Sequence, residues 1–582
     1  MQAPPDPDAV ASGDSGDAAS QDVPRRRTDK AGLTLAFALA GVLVILYSAQ
    51  VSPIFDIPTT AQFGLLQVLP RTYWAGMGLL AVSLALAARS ERDLLFVIAG
   101  AVLIGMFAAT PGLFEPNPSV WDSYIHYASA QEIIRTGRIP TAPDAYAANW
   151  PGFFLVTAFT SFMGGLPPFT FLALFPLFSG LFSFLTLFVF LRSFFPADIV
   201  RPASILTAIV NVWAQYHVSP QGIGLGLALL VLATAWDKRI PLRVANALLF
   251  VGLVVSHATS TIFLLAFFGV DALLSLLAWR RASSTPSGPS PFALKFNPFL
   301  IYGAVWLSWL FFVASGSAQV TKTMIVSQIG NILHIGESTA NIVAARSVQN
   351  IYIWPPRIRI GALGIFGLAA VFGLLTLFRK KELRGPSRFL IGAIAGLGVL
   401  GASDILIFQG LFYDRALMFF AVLGPATCLW GLRTLHVGPS IRRAVFVVLL
   451  VGAVASASTT FYQEPFYLVT NQSVAVSDFL STHSDRLLVF DGIFPEPIWL
   501  LDHQAQPWED IPFYTQFLSP LDVLAARTAP AFAVFDQTAK LWYIQGHGIN
   551  IYQYYEAQQS NYSLVYDNGY AQVYLIRAAP GV

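Results

Sequence analysis

The run Trp121-Asp122-Ser123-Tyr124-Ile125-His126-Tyr127-Ala128 holds the side chains best suited to chemistry. Asp122 and His126 stand four residues apart, so on a helix they share one face. A carboxylate beside an imidazole can draw a proton from a hydroxyl. The same pair could hold a divalent cation such as Mg or Mn. A plainer reading is that Asp122 precedes a helix over 123–136 and caps its free N–H groups. His217 and His257 each end an apolar segment, in Gln215-Tyr216-His217-Val218-Ser219-Pro220-Gln221 and Ser256-His257-Ala258-Thr259-Ser260. Asp404 lies near the end of another, and Asp414 and Arg415 follow in a tight loop. A guanidinium at headgroup depth can grip a phosphate with two parallel hydrogen bonds. It can equally snorkel to the interface or pair with Asp414. Tyr352 and Arg357 belong to the aromatic and basic run Tyr352-Ile353-Trp354-Pro355-Pro356-Arg357-Ile358-Arg359.

The elements that must position these groups are mostly membrane helices. Of the 582 residues, 55% are hydrophobic and 11% charged, with a mean hydropathy of +0.61. Soluble domains carry about 25% charged residues, so this chain cannot dress a water-facing surface throughout. The net charge of +2 offers nothing to nucleic acid. A single cysteine, Cys428, excludes an intrachain disulfide and a thiolate metal cage. Residues 1–30, rich in Pro, Asp, Ser and Ala, read as a disordered cytoplasmic tail without the pattern of a cleavable signal.

Apolar segments of spanning length are expected at 31–50, 70–88, 93–110, 167–192, 202–217, 222–237, 242–257, 259–279, 299–315, 359–378, 388–408, 415–432 and 442–461. Together they make a polytopic α-helical membrane protein with about 13 transmembrane helices. Short loops rich in Lys and Arg stay cytoplasmic. The clusters at 25–30, 89–92, 192–201, 238–243, 280–295, 379–388 and 433–443 put the N-terminus inside and everything after the last helix outside. Parity then forbids 151–165 from crossing. It is expected to be a helix lying at the outer surface, opened by Trp150-Pro151-Gly152. Asp122, His126, His217, His257, Asp404, Asp414 and Arg415 all fall on the outer side, and intramembrane ionisable groups that gather so are functional candidates.

The domain division follows. Residues 31–464 form the membrane domain, with external loops 111–166 and 316–358. Residues 465–582 form a small extracytoplasmic α/β domain on a multi-pass protein of the plasma membrane. Its strand-like runs are 486–490, 531–535 and 571–576, with a helix-like stretch at 519–528.

In pattern the chain resembles the GT-C superfamily of integral membrane glycosyltransferases. The resemblance rests most closely on 121–165, with the acidic, aromatic and His-bearing first external loop and its surface helix, and more loosely on the rest. It implies a sugar donor on a polyprenyl phosphate, reached from the surrounding membrane lipid, and a glycan, lipid or protein acceptor. Asp122 would be the general base. His126, His217 and His257 would bind sugar or phosphate oxygens, and Arg415 beside Asp414 would stabilise the leaving phosphate. Loop 316–358, with Tyr352 and Arg357, would line the donor entrance. Such an enzyme would be a hexosyl- or pentosyltransferase. The chain departs from the pattern in placing the Asp after its third expected helix and in lacking a second Asp beside Asp122. Two other classes stay open: a transporter or flippase of lipid-linked glycans, and a non-catalytic receptor or assembly protein.

Overall fold

The computed structural model describes residues 30–141, 146–237, 239–282, 298–329, 352–379, 386–404, 412–483, 488–491, 531–537 and 562–576. The expected tail at 1–30 (all but Lys30), much of loop 316–358 and the helix-like 519–528 lie outside them. The chain opens with α1 (Lys30–Val51), α2 (Leu65–Val68), α3 (Arg71–Ala88), α4 (Asp93–Ala108) and α5 (Thr110–Phe114). Then come α6 (Trp121–Thr136), α7 (Tyr146–Asn149), α8 (Gly152–Gly164), α9 (Pro168–Phe194) and α10 (Ala197–Val210). They are followed by α11 (Pro220–Thr234), α12 (Ile240–Ser256), α13 (Ala258–Ala282), α14 (Pro298–Phe312) and α15 (Ser315–Ile329). The last helices are α16 (Trp354–Arg379), α17 (Pro386–Ser403), α18 (Tyr413–Thr434), α19 (Pro439–Ala457), α20 (Glu464–Tyr467) and α21 (Asn471–His483).

The chain is a multi-pass membrane protein. Among the described residues, six helices are long and apolar enough to cross a bilayer, or seven if α14 and the start of α15, bent by 96°, count as one broken span. Other apolar helices, α4, α11 and α12 among them, are shorter. Helix α8 has only 13 residues, about 20 Å against a hydrocarbon core of about 30 Å. It buries Phe153, Phe154, Thr157, Ala158 and Ser161 and exposes Leu155, Val156, Phe159, Phe162 and Met163. An apolar outward face on so short a helix suits lipid contact without crossing.

Small residues set the helix spacing, as expected where lipid offers no hydrophobic drive for association. Helices α1 and α3 meet at Gly41 and Gly76, and Ser83 Oγ donates to the Thr34 carbonyl at 2.9 Å. Helices α16 and α18 meet at Gly373 and Gly431: a Cβ on Gly373 would sit 2.3 Å from the Thr427 carbonyl oxygen. Gly373→Leu is expected to cost about 1–3 kcal/mol by overpacking, read as a lower unfolding midpoint of the detergent-purified protein; an unchanged midpoint would show the two helices can part freely.

One end of the bundle gathers charges that the sequence assigns to a common side. Asp93 pairs with Arg201 at 2.7 Å and Arg192 at 3.5 Å, and Arg433 pairs with Asp198. Helix α9 runs from that end to the other, where Phe171 packs on Tyr127 of α6 with ring centroids 5.1 Å apart.

At the C-terminus β1 (Leu488–Asp491), β2 (Ala531–Asp536), β3 (Tyr562–Asp567) and β4 (Ala571–Ile576) form one sheet in the order β1-β2-β4-β3. The β1–β2 pair is parallel and the other two are antiparallel. Val476 and Leu480 of α21 close a small core with Phe532, Val534, Ala571 and Val573. Three strands match expected runs, and β3 is an addition.

Candidate active site

Helix α6 begins two residues earlier than its sequence suggests. Val120, not Asp122, is the N-cap, and no side chain caps the first turn. Asp122 is therefore the second residue of the helix, and its carboxylate is turned to other partners. Val120 takes φ 70°, a left-handed conformation that is costly for a β-branched residue. Its N–H donates to the Tyr467 carbonyl at 3.3 Å. Nearby, the Asn117 side-chain amide donates to the Val469 carbonyl at 3.1 Å and to Asn471 Oδ1 at 2.9 Å. The segment entering α6 is thus tied to the chain just beyond α19.

Asp122 stands between two imidazoles. His126 Nε2 lies 3.3 Å from Oδ1, from one turn along the same helix. His217 Nε2 lies 3.3 Å from Oδ2, from a different part of the chain. The sequence places His217 at the end of a helix over 202–217. In the structure α10 stops at Val210, because Asn211 leaves helical geometry and donates its amide to the Met418 carbonyl at 3.2 Å. The irregular stretch so released carries His217 to Asp122. Burial pushes the Asp122 carboxyl up, but the two imidazoles, His126 foremost, outweigh burial and hold it well below the usual carboxylate range. It is an ionised group, held on both oxygens yet with lone pairs to spare for a further donor.

A second set of residues lies on the His126 side. The His126 ring packs against Phe154 at 5.6 Å and Tyr146 at 6.3 Å. Tyr146 itself feels burial first, which raises its hydroxyl above the ordinary value. The Ala258 backbone and Arg415 oppose the rise, while Asp122 adds to it. Tyr146 therefore stands within electrostatic reach of both Asp122 and Arg415. His257, at the C-cap of α12, is buried and accepts the Ser260 N–H at Nδ1 from 3.2 Å, with Ser260 Oγ 2.8 Å away. Arg415 and His126 both act on it electrostatically. Asp122, His126, His217, His257 and Arg415, spread over almost three hundred residues of sequence, are brought to one locality. Tyr146 joins them without a signal in the sequence beyond its aromatic ring.

The remaining candidates part company. Asp414 lines a cavity of about 350 Å³ that also touches His217. Tyr352 is buried against Tyr462 and Phe466, with ring centroids 5.3 and 6.0 Å away, as a packing residue. Arg357 is exposed over Trp354. Arg359, two positions on, reaches the cavity in its place. Asp404 is buried and accepts the Phe412 N–H at 2.9 Å, a structural bond that ties α17 to the start of α18.

Two carboxyls escaped the sequence reading. Glu464 lines the cavity, is 3% exposed, and its Oε1 has no hydrogen-bond partner among the described residues. Glu115 is buried too, with both oxygens in the same condition. Burial pushes both up, Glu464 to about 7 and Glu115 well above the usual range, where the Glu464 charge adds to the rise. Between the ordinary 4.5 and about 7, the folded Glu115–Glu464 pair keeps protons that the unfolded chain has released. Stability therefore falls as pH rises through that window. Glu464→Gln is expected to flatten the dependence of the unfolding midpoint on pH between about pH 4.5 and about pH 7.5; an equally steep profile in the variant would place the titration elsewhere.

Among the described residues no group of three or more His, Cys, Asp or Glu side chains is arranged to hold a metal ion. Asp122 with its two imidazoles offers one oxygen ligand type and two nitrogens, whereas Mg and Mn favour oxygen. The donor set does not fit the expected cation, and no step below passes through one.

No protein-family model matches the chain, and no curated protein matches it. Solved structures do. The chain is similar to the Archaeoglobus fulgidus oligosaccharyltransferase in complex with Zn and sulfate, with 13% identity, TM-score 0.45, and coverage of 81% of this chain and 72% of that one. It is similar to the archaeal oligosaccharyltransferase AglB from the same organism in complex with an inhibitory peptide and a dolichol-phosphate, with 13% identity, TM-score 0.47, and coverage of 83% and 74%. It is also similar to ArnT from Cupriavidus metallidurans bound to undecaprenyl phosphate, with 14% identity, TM-score 0.42, and coverage of 83% and 98%.

Proposed function

We propose that the chain is a membrane glycosyltransferase of the GT-C type, moving a sugar from a polyprenyl-phosphate donor to an acceptor hydroxyl. The observation that carries the reading is the Asp122 carboxylate, ionised and held between His126 and His217, with Arg415 acting on the Tyr146 and His257 that flank it. A fixed base and a cation a short distance apart suit a displacement in which a proton is taken at one side and negative charge grows at the other. The acceptor oxygen attacks the anomeric carbon and its proton passes to Asp122. The bond from that carbon to the phosphate oxygen breaks with its electron pair, and Arg415 stabilises the charge left on the phosphate. The sugar is inverted.

The lipid donor explains the amount of membrane helix around so small a site. In this reading the site and residues 465–582 face the extracytoplasmic side of the plasma membrane, the N-terminus is cytoplasmic, and about 13 segments cross. The acceptor is glycan, lipid or protein. The test supplies purified, reconstituted protein with radiolabelled sugar either on a polyprenyl phosphate or on a nucleotide. Labelled product from the lipid donor alone is the expected result. Product from the nucleotide donor would overturn the donor class. Movement of intact lipid-linked sugar across the vesicle, with no new product, would favour the flippase.

A further inference from the structure

The cavity beside His217 is lined by Asp414 but not by Tyr146, His257 or Arg415. It is joined to the base through His217 and through Tyr467, on which Asp122 acts electrostatically. We propose that this cavity is the acceptor subsite and that the acceptor is a sugar unit of a glycan, which presents one hydroxyl to Asp122. The proposal rests on the glycosyltransferase reading and narrows its acceptor.

The lining charge disfavours the donor phosphate in this cavity. Its one arginine, Arg359, is committed: Nε donates to Thr459 Oγ1 at 2.8 Å and Nη2 to the Thr459 carbonyl at 2.7 Å, with the guanidinium 4.7 Å from the Tyr462 ring centroid. Two carboxyls, Asp414 and Glu464, line the same walls. A phosphate would meet at least as much negative charge as positive. The lining suits instead a neutral ligand that both donates and accepts hydrogen bonds. Gln463 and Glu464 on its walls offer groups that can hydrogen-bond to hydroxyls. Trp213 and Tyr467 add aromatic surface of the kind that packs on the C–H faces of sugar rings. About 350 Å³ is near the lower end of ligand pockets. That volume suits one ring-sized polar unit rather than a run of peptide. With a sugar there, its hydroxyl proton goes to Asp122 as the new glycosidic bond forms and the phosphate departs.

The experiment is saturation-transfer NMR on the detergent-purified chain, with a panel of methyl hexopyranosides and methyl pentofuranosides as probes. Inorganic phosphate and a short Ser/Thr peptide serve as competitors. At least one glycoside is expected to bind wild type. Glu464→Gln and Gln463→Leu are each expected to weaken that binding about tenfold. The second variant serves if the first does not fold. Displacement by the peptide, no glycoside binding at all, or binding indifferent to both variants overturns the proposal. Sugar transfer separates the two readings. Glycoside binding without any sugar transfer by wild type leaves the subsite standing and sinks the enzyme. Loss of transfer in Asp122→Asn without any glycoside binding does the reverse.

Discussion

Asp122→Asn should lower sugar transfer by about 10²–10⁴-fold, the range that a positioned general base supplies, while the protein stays folded. Asn has the size of Asp, and its amide oxygen can accept from one imidazole while its NH2 donates to the Nε2 of the other. What it cannot do is take the acceptor's proton. The usual objection to such a test is that an Asp near a helix start is a cap whose loss damages the helix. Here Val120 is the N-cap and Asp122 caps nothing, so loss of activity and loss of structure are separable. Transfer is measured at matched, folded protein concentration, with the unfolding midpoint as the control. Because the flanking imidazoles hold the carboxyl low, wild-type transfer should not fall through protonation of Asp122 in mildly acidic buffer. Wild-type transfer by Asp122→Asn would remove the base and with it the proposed mechanism.

Arg415→Gln should reduce kcat by about 10²–10³-fold, the scale of removing one preorganised charge-stabilising donor. The effect should fall on kcat more than on KM for the donor, since negative charge on the phosphate grows as the bond to sugar breaks. Arg415→Lys keeps the charge but not the planar fork, so it should recover part of the rate and not all. If Arg415 only snorkelled to the interface, Lys would serve equally and Gln would leave kcat unchanged. A steady-state comparison of the three proteins decides.

The Asp122–His126 pair was legible because it depends on helical periodicity alone, and so was a helix at 152–164 too short to cross a bilayer. His217 was legible as a candidate but not as a partner of Asp122. Its approach depends on α10 ending at Asn211, and that ending is set by a contact with Met418 far along the chain. Arg357 and Arg359 look interchangeable in the sequence, yet two residues on a helix point about 200° apart. One faces outward over Trp354 and the other reaches the cavity, and the pattern has no means to say which. Glu115 and Glu464 resemble the charged residues that commonly flank apolar helices. Their burial is created by a meeting of distant segments, invisible to any local window. Strand β3, with Ser563 and Asp567 among its residues, lacks the apolar run that marked the other strands.

The bonds from Asn117 and Val120 to the stretch beyond α19 also have a consequence in time. The tie between Asn117 and Val469 joins residues separated by 352 positions. A ribosome adds residues in order, at about 5–20 per second, so the strained turn before Asp122 waits many seconds for the chain that holds it. Through that interval the early helices can enter the bilayer and pack, while the base has no fixed place to stand. The surroundings of Asp122 are complete only after α19 has been made and the segment beyond it has folded back on the turn before α6.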